Sequence, residues 1–444
     1  MSRPTQSHAC SNFRGLLVLN SGLEKRRSME TTTSFALLTV LVLLIGVSRS
    51  APAQTLTVIH TFADGEDGAQ PASGVTIDRS GNVYGTTPYG GRTTGHYGVV
   101  YRLQNKGGGW VITPLYDFAG GSDGANPSSR VTIGTNGTLY GSTSYGGLFQ
   151  NGCSGGDGCG TIFNLKPTPN RPATPLSPWI KTILYDFQGG TDGWQPGGDL
   201  IFDKAGNVYG TTYYGAYGGL GSVYKLTPSS GGWTESLLYQ DPSGGEWIQP
   251  SGGVILDGSG NLFGVFVFGG ANGWGGVYEL TPSGSGWTES TLHTFTGGSD
   301  GGEPVGGLII DSSGNLYGTT YLEGSGGGGT VFELTPSGGN WTFNVLYSFA
   351  AGNGGKGPVD KLNMDAAGNL YGTTYSEGAY GYGAVFKLTP SGGGWTYTSL
   401  HDFTNGDDGA YPACQPVFDA KGNLYGTASV GGSLGEGVVW EIMP

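Results

Sequence analysis

The sequence predicts an all-β fold, a seven-bladed β-propeller of four-stranded antiparallel blades. A seven-residue motif, Gly-Asn-Leu-Tyr-Gly-Thr-Thr in its clearest copy at residues 314–320, occurs seven times, and from Gly206 the copies follow at a constant interval of 54 residues. Each interval contains four short runs rich in β-branched and aromatic residues. No sustained helical periodicity occurs in residues 55–444. Together these observations indicate a closed array of repeated β-units.

The four runs of one repeat are clearest within residues 300–349, where turn residues separate them. An Asp-Ser-Ser-Gly-Asn turn, a Gly-rich loop and a Pro-Ser-Gly-Gly turn bound the runs at 307–310, 316–320, 330–334 and 341–349. Such runs are typical of strands. Asp311 can accept hydrogen bonds from the turn that follows it, and Gly314 can adopt the left-handed conformation of a tight hairpin.

The two ends of the chain predict how the array closes. In the repeat register, the run 55–62 has no blade of its own, and we expect it to pair with the strand that ends at Ile442. One blade built from both termini leaves no open sheet edge. An open solenoid is the alternative, but neither end carries an atypical polar capping repeat.

The net charge of the chain limits the classes of molecule that it is expected to bind. The net charge is −13, and without residues 1–53, which contain six Lys/Arg and two Asp/Glu, it becomes −17. No basic patch remains to neutralise phosphates, so neither nucleic acid nor an anionic membrane surface is an expected partner.

The N-terminus has the features of an export signal. Lys25, Arg26 and Arg27 precede an apolar run of thirteen residues, 35–47, and Ala51-Pro52-Ala53 offers a cleavage site. That run is shorter than the roughly 20 residues of a membrane span. We therefore expect residues 1–53 to be a signal region, with Met29 a candidate start, and residues 54–444 to be a secreted or periplasmic bacterial domain. A retained anchor is the alternative.

The cysteines agree with an oxidising compartment. Cys153 and Cys159 lie six residues apart in a Gly-rich insertion and are expected to form a disulfide, since a metal site would need further ligands nearby. Cys414 has no companion base in the sequence and is expected to be a small buried residue.

The repeat resembles the bacterial tandem-repeat proteins called choice-of-anchor GloVer-containing proteins. The resemblance is carried by Gly-Asn-Leu-Tyr-Gly-Thr-Thr, by Gly-Thr-Val-Phe-Glu-Leu-Thr-Pro, by Trp-Thr, and by Phe followed by Asp-Gly and Pro, over essentially all of residues 55–444. It implies an exported repeat protein with no active site defined for the family. The family name reflects varied C-terminal anchors; this chain stops directly after its last strand, at Pro444, which favours free secretion.

The loops that join one blade to the next carry the candidate ligand-binding residues. An acidic residue lies five positions after the outer-strand Phe, in the series Asp67, Asp123, Asp192, Glu246, Asp300 and Asp408, with Gly354 as the exception, and a proline follows four residues later in all seven repeats. The Gly-rich loops after Thr-Thr, on the same predicted face, often carry an aromatic residue: Tyr89, Tyr145, Tyr214 and Phe268. Trp194, Trp247 and Trp274 interrupt the repeat there.

Two interpretations of this face are open. An acidic surface lined with aromatic rings can stack sugars or hold cations, calcium included. Alternatively, each Asp caps its own turn and each aromatic packs between blades. His60, His293 and His401 exchange with Tyr at one repeat position and are expected to be half-buried packing residues. No catalytic motif, metal-ligand cluster or cofactor motif is present in the sequence.

The sequence thus predicts a secreted, monomeric binding module for a polysaccharide or a protein partner. A propeller enzyme, a polysaccharide lyase or glycoside hydrolase using carboxylates of the loop face, is one alternative. A structural surface or matrix protein is another. An enzyme should concentrate polar residues that break the repeat around the central channel, whereas a scaffold should keep its seven loops nearly equivalent.

Overall fold

A computed structural model describes residues 54–148, 153, 157–167, 179–215, 219–240, 247–284, 286–350 and 354–443. The described residues belong to one compact unit, Gln54–Pro444. The predicted signal region, residues 1–53, lies outside them, and so do Glu246 and the side chain of Trp247.

The described residues form 29 β-strands in seven groups, here called the terminal unit and units 1 to 6. The terminal unit contains β1 Thr55–Thr61, β27 Val417–Phe418, β28 Leu424–Ala428 and β29 Val438–Met443. Unit 1 contains β2 Thr76–Ile77, β3 Val83–Thr87, β4 Val99–Asn105 and β5 Trp110–Asp117. Unit 2 contains β6 Thr132–Ile133, β7 Leu139–Thr143, β8 Thr161–Lys166 and β9 Ile180–Asp186.

The second half of the chain continues the series. Unit 3 contains β10 Trp194–Phe202, β11 Val208–Tyr214, β12 Ser222–Ser229 and β13 Gly232–Tyr239. Unit 4 contains β14 Trp247–Leu256, β15 Leu262–Gly269, β16 Gly276–Ser283 and β17 Gly286–Thr294. Unit 5 contains β18 Ile309–Ile310, β19 Leu316–Thr320, β20 Gly327–Ser337 and β21 Asn340–Ala350. Unit 6 contains β22 Lys356–Pro358, β23 Asn363–Met364, β24 Leu370–Ser376, β25 Ala384–Ser391 and β26 Gly394–Asp402.

Within each unit the strands pair antiparallel in sequence order, which confirms the all-β class. The inner strand of several units is shorter than the predicted run, only two residues in β18. Unit 6 divides its inner strand into β22 and β23, which both pair with β24. Units 3 and 4 share one eight-stranded sheet because β10 and β14 meet in parallel at Asp199 and Gly253. Glycine permits this approach, since a Cβ at Gly198 would lie 2.2 Å from the backbone nitrogen of Gly253.

The predicted pairing of the two chain ends is confirmed. Strand β1 runs antiparallel to β29, from Thr55 opposite Met443 to Thr61 opposite Val438. Phe62, which follows β1, is fully buried in the cluster that also contains Val439. The terminal unit is therefore held together by hydrogen bonds between the first and last strands.

Hydrophobic clusters between the units form a cyclic series in the described part of the chain. Each cluster combines side chains of two units that follow one another, for example Phe349 of unit 5 with Phe386 and Leu388 of unit 6. The series runs from the terminal unit through units 1 to 6 and back to the terminal unit. Every unit is thus packed against two neighbours.

The recurring motif encodes a turn and a packing contact. Asp311 accepts hydrogen bonds from the backbone N–H groups of Ser313 (2.8 Å) and Asn315 (2.9 Å), as predicted. Gly314 has φ 86°, in the left-handed region. The motif's second glycine, Gly318, lies under an aromatic ring of the next strand, and a Cβ there would be 2.5 Å from the Phe332 ring. The glycine is therefore needed for the ring to lie flat on the strand.

Candidate functional site

Two kinds of loop lie side by side at one end of the units. The loop that enters unit 1 pairs with the loop between β3 and β4, where Ala69 N–H donates to the Tyr89 carbonyl at 2.9 Å. The same pairing recurs at Ala125 with Tyr145 and at Ala410 with Val430. These paired loops, here called the loop face, contain the described members of the predicted Asp series and, of the predicted aromatic residues, Tyr89, Tyr145 and Trp274. The prediction that the others lie in loops was wrong, because strand pairing extends further than the repeat pattern indicated and places Trp194, Trp247, Tyr214 and Phe268 at the ends of strands β10, β14, β11 and β15.

The carboxylates of the loop face have partners within the protein. In each described member of the series, a His or Tyr seven residues earlier shares a hydrogen bond with the carboxylate. The pairs are His60–Asp67 (2.9 Å), Tyr116–Asp123 (2.6 Å), Tyr185–Asp192 (2.9 Å), His293–Asp300 (3.2 Å) and His401–Asp408 (2.9 Å). At least one oxygen of each carboxylate is therefore already engaged, and in Asp123, Asp300 and Asp408 both oxygens have partners within the protein.

Two predicted aromatic residues, Trp194 and Tyr214, meet in unit 3 beside Tyr213, which was not predicted. Trp194 is stacked on Tyr214, with ring centroids 4.7 Å apart and an interplanar angle of 24°. Tyr213 contacts Tyr214 edge-on at 4.8 Å. All three are half-buried, so part of each ring faces solvent. They form one continuous aromatic surface, here called the unit 3 aromatic patch.

The other predicted aromatic residues lie apart from this patch. Tyr89 is exposed, and Tyr145 and Phe268 are half-buried. The Trp274 ring packs over Gly297, where a Cβ would lie 2.3 Å from it. A second stack, Tyr375 on Tyr411 at 5.1 Å, was not predicted from the sequence. Its signal is present, because Tyr375 follows a Thr-Thr pair as Tyr213 does.

A cluster of charged side chains lies where the inner strands begin. Counted from the proline of each repeat, the third residue is glycine in units 1, 4 and 5. It is Arg130, Asp199, Lys361 and Gln415 in the remaining units. These four residues and Asp360 form the central cluster. All of them except Lys361 line a cavity of about 70 Å³ together with Ser73, Ser128 and Ser129, and Lys361 lines an adjoining pocket with Arg130, Asp199 and Gln415.

The central cluster connects two neighbouring units and also reaches a unit that is not their neighbour. Arg130 Nη2 of unit 2 lies 2.6 Å from Asp199 Oδ2 of unit 3, and Lys361 Nζ of unit 6 lies 3.3 Å from the same oxygen. The side chains of Arg130, Asp199 and Lys361 are 22%, 15% and 6% exposed. This mostly buried carboxylate is therefore shared by two cations.

Asp360 lies beside these ion pairs with a different environment. Its carboxylate accepts hydrogen bonds from the backbone N–H of Lys361 (2.6 Å) and of Gln415 (2.8 Å). Burial and the nearby Asp199 raise the pKa of Asp360 to about 6, although Arg130 and Lys361 act in the opposite direction. Burial also acts to raise the pKa of Asp199, but Arg130 and Lys361 outweigh it and lower that pKa. The two carboxylates of the cluster thus have separated pKa values.

We expect Asp360 to make stability depend on pH. Because its folded-state pKa lies above its usual value, its favourable contribution is complete below about pH 4 and is lost as the pH rises through about 6. The two-unit shift corresponds to about 3 kcal/mol. Urea unfolding at pH 4 to 7 should show the wild type losing this amount relative to Asp360→Asn. Parallel curves for the two proteins would contradict the prediction.

The structure also shows the environment of the three cysteines that lie in residues 54–444. Cys153 and Cys159 are joined in a disulfide, with Cα atoms 5.5 Å apart. Cys414 is buried, and burial raises the pKa of its thiol to about 12, which makes it a poor nucleophile. Among the described residues, no group of three or more His, Cys, Asp or Glu side chains is arranged to hold a metal ion. No helix in the described ranges is long and apolar enough to cross a membrane.

The repeated units and the shared loop face define an all-β tandem-repeat protein. The Gloeobacter/Verrucomicrobia repeat model matches residues 47–174 and 249–444, and the chain belongs to this family. No curated protein sequence matches the chain.

Solved structures resemble the chain in fold. An ulvan lyase of a new polysaccharide lyase family has a TM-score of 0.51 at 13% identity, covering 87% of this chain and 95% of the lyase. A Bacteroides uniformis protein assigned as a 6-phosphogluconolactonase has a TM-score of 0.46 at 14% identity, covering 74% of this chain and 84% of its own. A Thermus thermophilus protein assigned as a glucose dehydrogenase has 0.41 at 13%, covering 88% and 100%.

Proposed function

We propose that the chain is a secreted, monomeric, seven-bladed β-propeller that binds polysaccharide on its loop face. Seven units with antiparallel strands, a cyclic series of hydrophobic clusters and a unit built from both termini support the propeller. The signal-like N-terminus supports secretion. A protein partner at the same face is the alternative ligand.

The unit 3 aromatic patch is the observation that carries the binding proposal. Its rings lie at the paired ends of strands β10 and β11, remain partly exposed and are fixed by stacking, so little side-chain entropy is lost when a flat apolar sugar face packs on them. The stack of Tyr375, at the end of strand β24, on Tyr411, in the loop that enters the terminal unit, gives a second such surface. Two separated stacks suit an extended polymer better than a small molecule.

Retention on immobilised and insoluble polysaccharides tests the proposal. We expect residues 54–444 to be retained on part of a panel, and Trp194→Ala and Tyr214→Ala each to weaken retention about threefold to tenfold. Ile180→Ala is the matched control, because this residue is 53% exposed on outer strand β9, away from the loop face. Equal retention of all variants, or none on the whole panel, would contradict polysaccharide binding at the patch.

The central cluster favours catalysis as the second candidate function. It concentrates the charged residues that break the repeat, and Asp360, with a pKa of about 6, is suited to exchange a proton near neutral pH. The likeness to an ulvan lyase concerns the fold and leaves the reaction open. Release of soluble sugar that Asp360→Asn abolishes, with retention unchanged, would favour an enzyme over a binding module.

A further inference from the structure

The outer strands carry a repeat position that contacts the preceding unit, here called the junction position. It lies two residues after the Trp that opens most outer strands and faces the His or Tyr that pairs with the Asp series. Phe343 of unit 5 stacks on His293 of unit 4 at 3.9 Å, and Tyr397 of unit 6 stacks on Tyr347 of unit 5 at 5.2 Å. At both junctions the two facing side chains are aromatic rings that stack on each other.

Unit 2 has a cation at its junction position. Lys181 Nζ lies 2.7 Å from Asp123 Oδ1 of the preceding loop and also donates to the Asp123 carbonyl oxygen. The ammonium lies 5.2 Å from the centroid of the Tyr116 ring, and the Lys181 side chain is only 6% exposed. A carboxylate, a carbonyl and an aromatic ring thus form a cation pocket between units 1 and 2.

Unit 3 has a carboxylate at the same position. Glu235 is the counterpart of Lys181 by repeat position, and Asp192 and Tyr185 are the counterparts of Asp123 and Tyr116. Glu235 lies near enough to both for their charges to interact. Asp192 is 9% exposed, and its Oδ2 accepts hydrogen bonds from Tyr185 Oη (2.9 Å) and Gln188 N (3.0 Å). Asp192 Oδ1 and Glu235 Oε1 are both buried, and neither has a hydrogen-bond partner in the structure.

The Asp192 carboxylate opposes the ionisation of Glu235. Burial and Asp192 raise the pKa of Glu235 to about 7, and burial raises the pKa of Asp192. The phenols of Tyr185 and Tyr224 are the other titratable groups that Glu235 influences, and burial raises their pKa values far above neutrality. The junction thus places two acidic side chains where units 1 and 2 have one acidic side chain and the Lys181 ammonium.

We propose that this junction binds a calcium ion, which takes the place of the Lys181 ammonium between units 2 and 3. Asp192 Oδ1 and Glu235 Oε1 are hard oxygen ligands without a donor, and the Asp192 carbonyl corresponds to the Asp123 carbonyl that accepts from Lys181. Water completes the coordination, because only two acidic side chains contribute. A half-saturation near 0.1–1 mM is expected for an extracellular calcium site with few protein ligands.

Thermal unfolding at pH 8 with calcium chloride or with chelator tests this site. We expect calcium to raise the Tm of the wild type, and Glu235→Lys to abolish the response and unfold above the calcium-free wild type. Glu235→Gln, which keeps the side-chain shape, should respond at least tenfold more weakly. Asp407→Lys, the same change of sign at an exposed loop residue, should respond like the wild type.

Terbium luminescence gives a second readout that does not depend on stability. Tyr185, in contact with Asp192, should sensitise bound terbium, and calcium should displace it. Luminescence should be lost in Glu235→Lys and reduced in Tyr185→Phe. Equal calcium responses in wild type and Glu235→Lys would place the ion elsewhere. No response in the wild type would mean that the two carboxylates share only a proton. Either result would overturn the proposal.

Discussion

Replacing Asp199 by alanine should destabilise the protein by about 3–5 kcal/mol, the cost of removing one partner from a buried charge network. The Asp199 carboxylate is held by Arg130 at 2.6 Å and by Lys361 at 3.3 Å, and the Lys361 side chain is 6% exposed. Without Asp199, two mostly buried cations would keep only Asp360 nearby. Urea unfolding at pH 7 measures the loss, and Asp407→Ala, an exposed acidic residue, should change stability by less than about 0.5 kcal/mol.

A double-variant cycle separates charge from packing at this position. If Asp199 acts by neutralising Lys361, Asp199→Asn should cost much less in a Lys361→Met background than in the wild type. Additive costs would show that Asp199 acts independently of Lys361 and leave Arg130 as its ion-pair partner. A loss below about 1 kcal/mol for Asp199→Ala would contradict the shared-carboxylate description altogether.

The central cluster shows why long-range chemistry was not predicted from the sequence. Arg130 and Asp199 are 69 residues apart and Lys361 is 162 residues from Asp199, so no local motif connects them. A signal existed, because the three residues interrupt glycine at one position counted from the prolines. Its meaning depends on knowing that this position faces the inner end of every unit, which only the assembled structure gives.

The turns and the short-range hydrogen bonds were predictable because the same residue types recur at the same positions of the repeats. The Asp311 turn and Gly314 were predicted from turn preferences alone, and the structure confirms the hydrogen bonds and the left-handed φ. The exchange of His with Tyr also has a physical reason. Both rings place a polar atom on the same carboxylate seven residues later, as His293 and Tyr185 do. Whether those carboxylates also bind a ligand stays a prediction.

Deleting residues 54–62 should abolish cooperative folding of the isolated chain. The deletion removes strand β1 and Phe62, which is fully buried against the side chains of unit 1. It also leaves strand β29 with an unpaired edge, which favours aggregation. Circular dichroism and size-exclusion chromatography should show a loss of the wild-type unfolding transition together with oligomers. Phe62→Ala alone should cost about 3–5 kcal/mol, whereas Thr55→Ala, at the exposed start of β1, should be nearly neutral.

A synthetic peptide of residues 54–62 distinguishes two effects of the deletion. One is the loss of the strand that pairs with β29, and the other is the loss of buried side chains. If the missing strand is what joins the terminal unit to unit 1, the peptide should bind the truncated chain by strand addition and restore the transition. The same peptide with Phe62→Ala should restore it less, because the strand would pair but the cluster with Val83 and Tyr101 would stay incomplete. A truncated chain that unfolds at the wild-type temperature, as a monomer and without peptide, would mean that β1 is dispensable. The cyclic packing of the remaining units would then hold the fold together without hydrogen bonds between the chain ends.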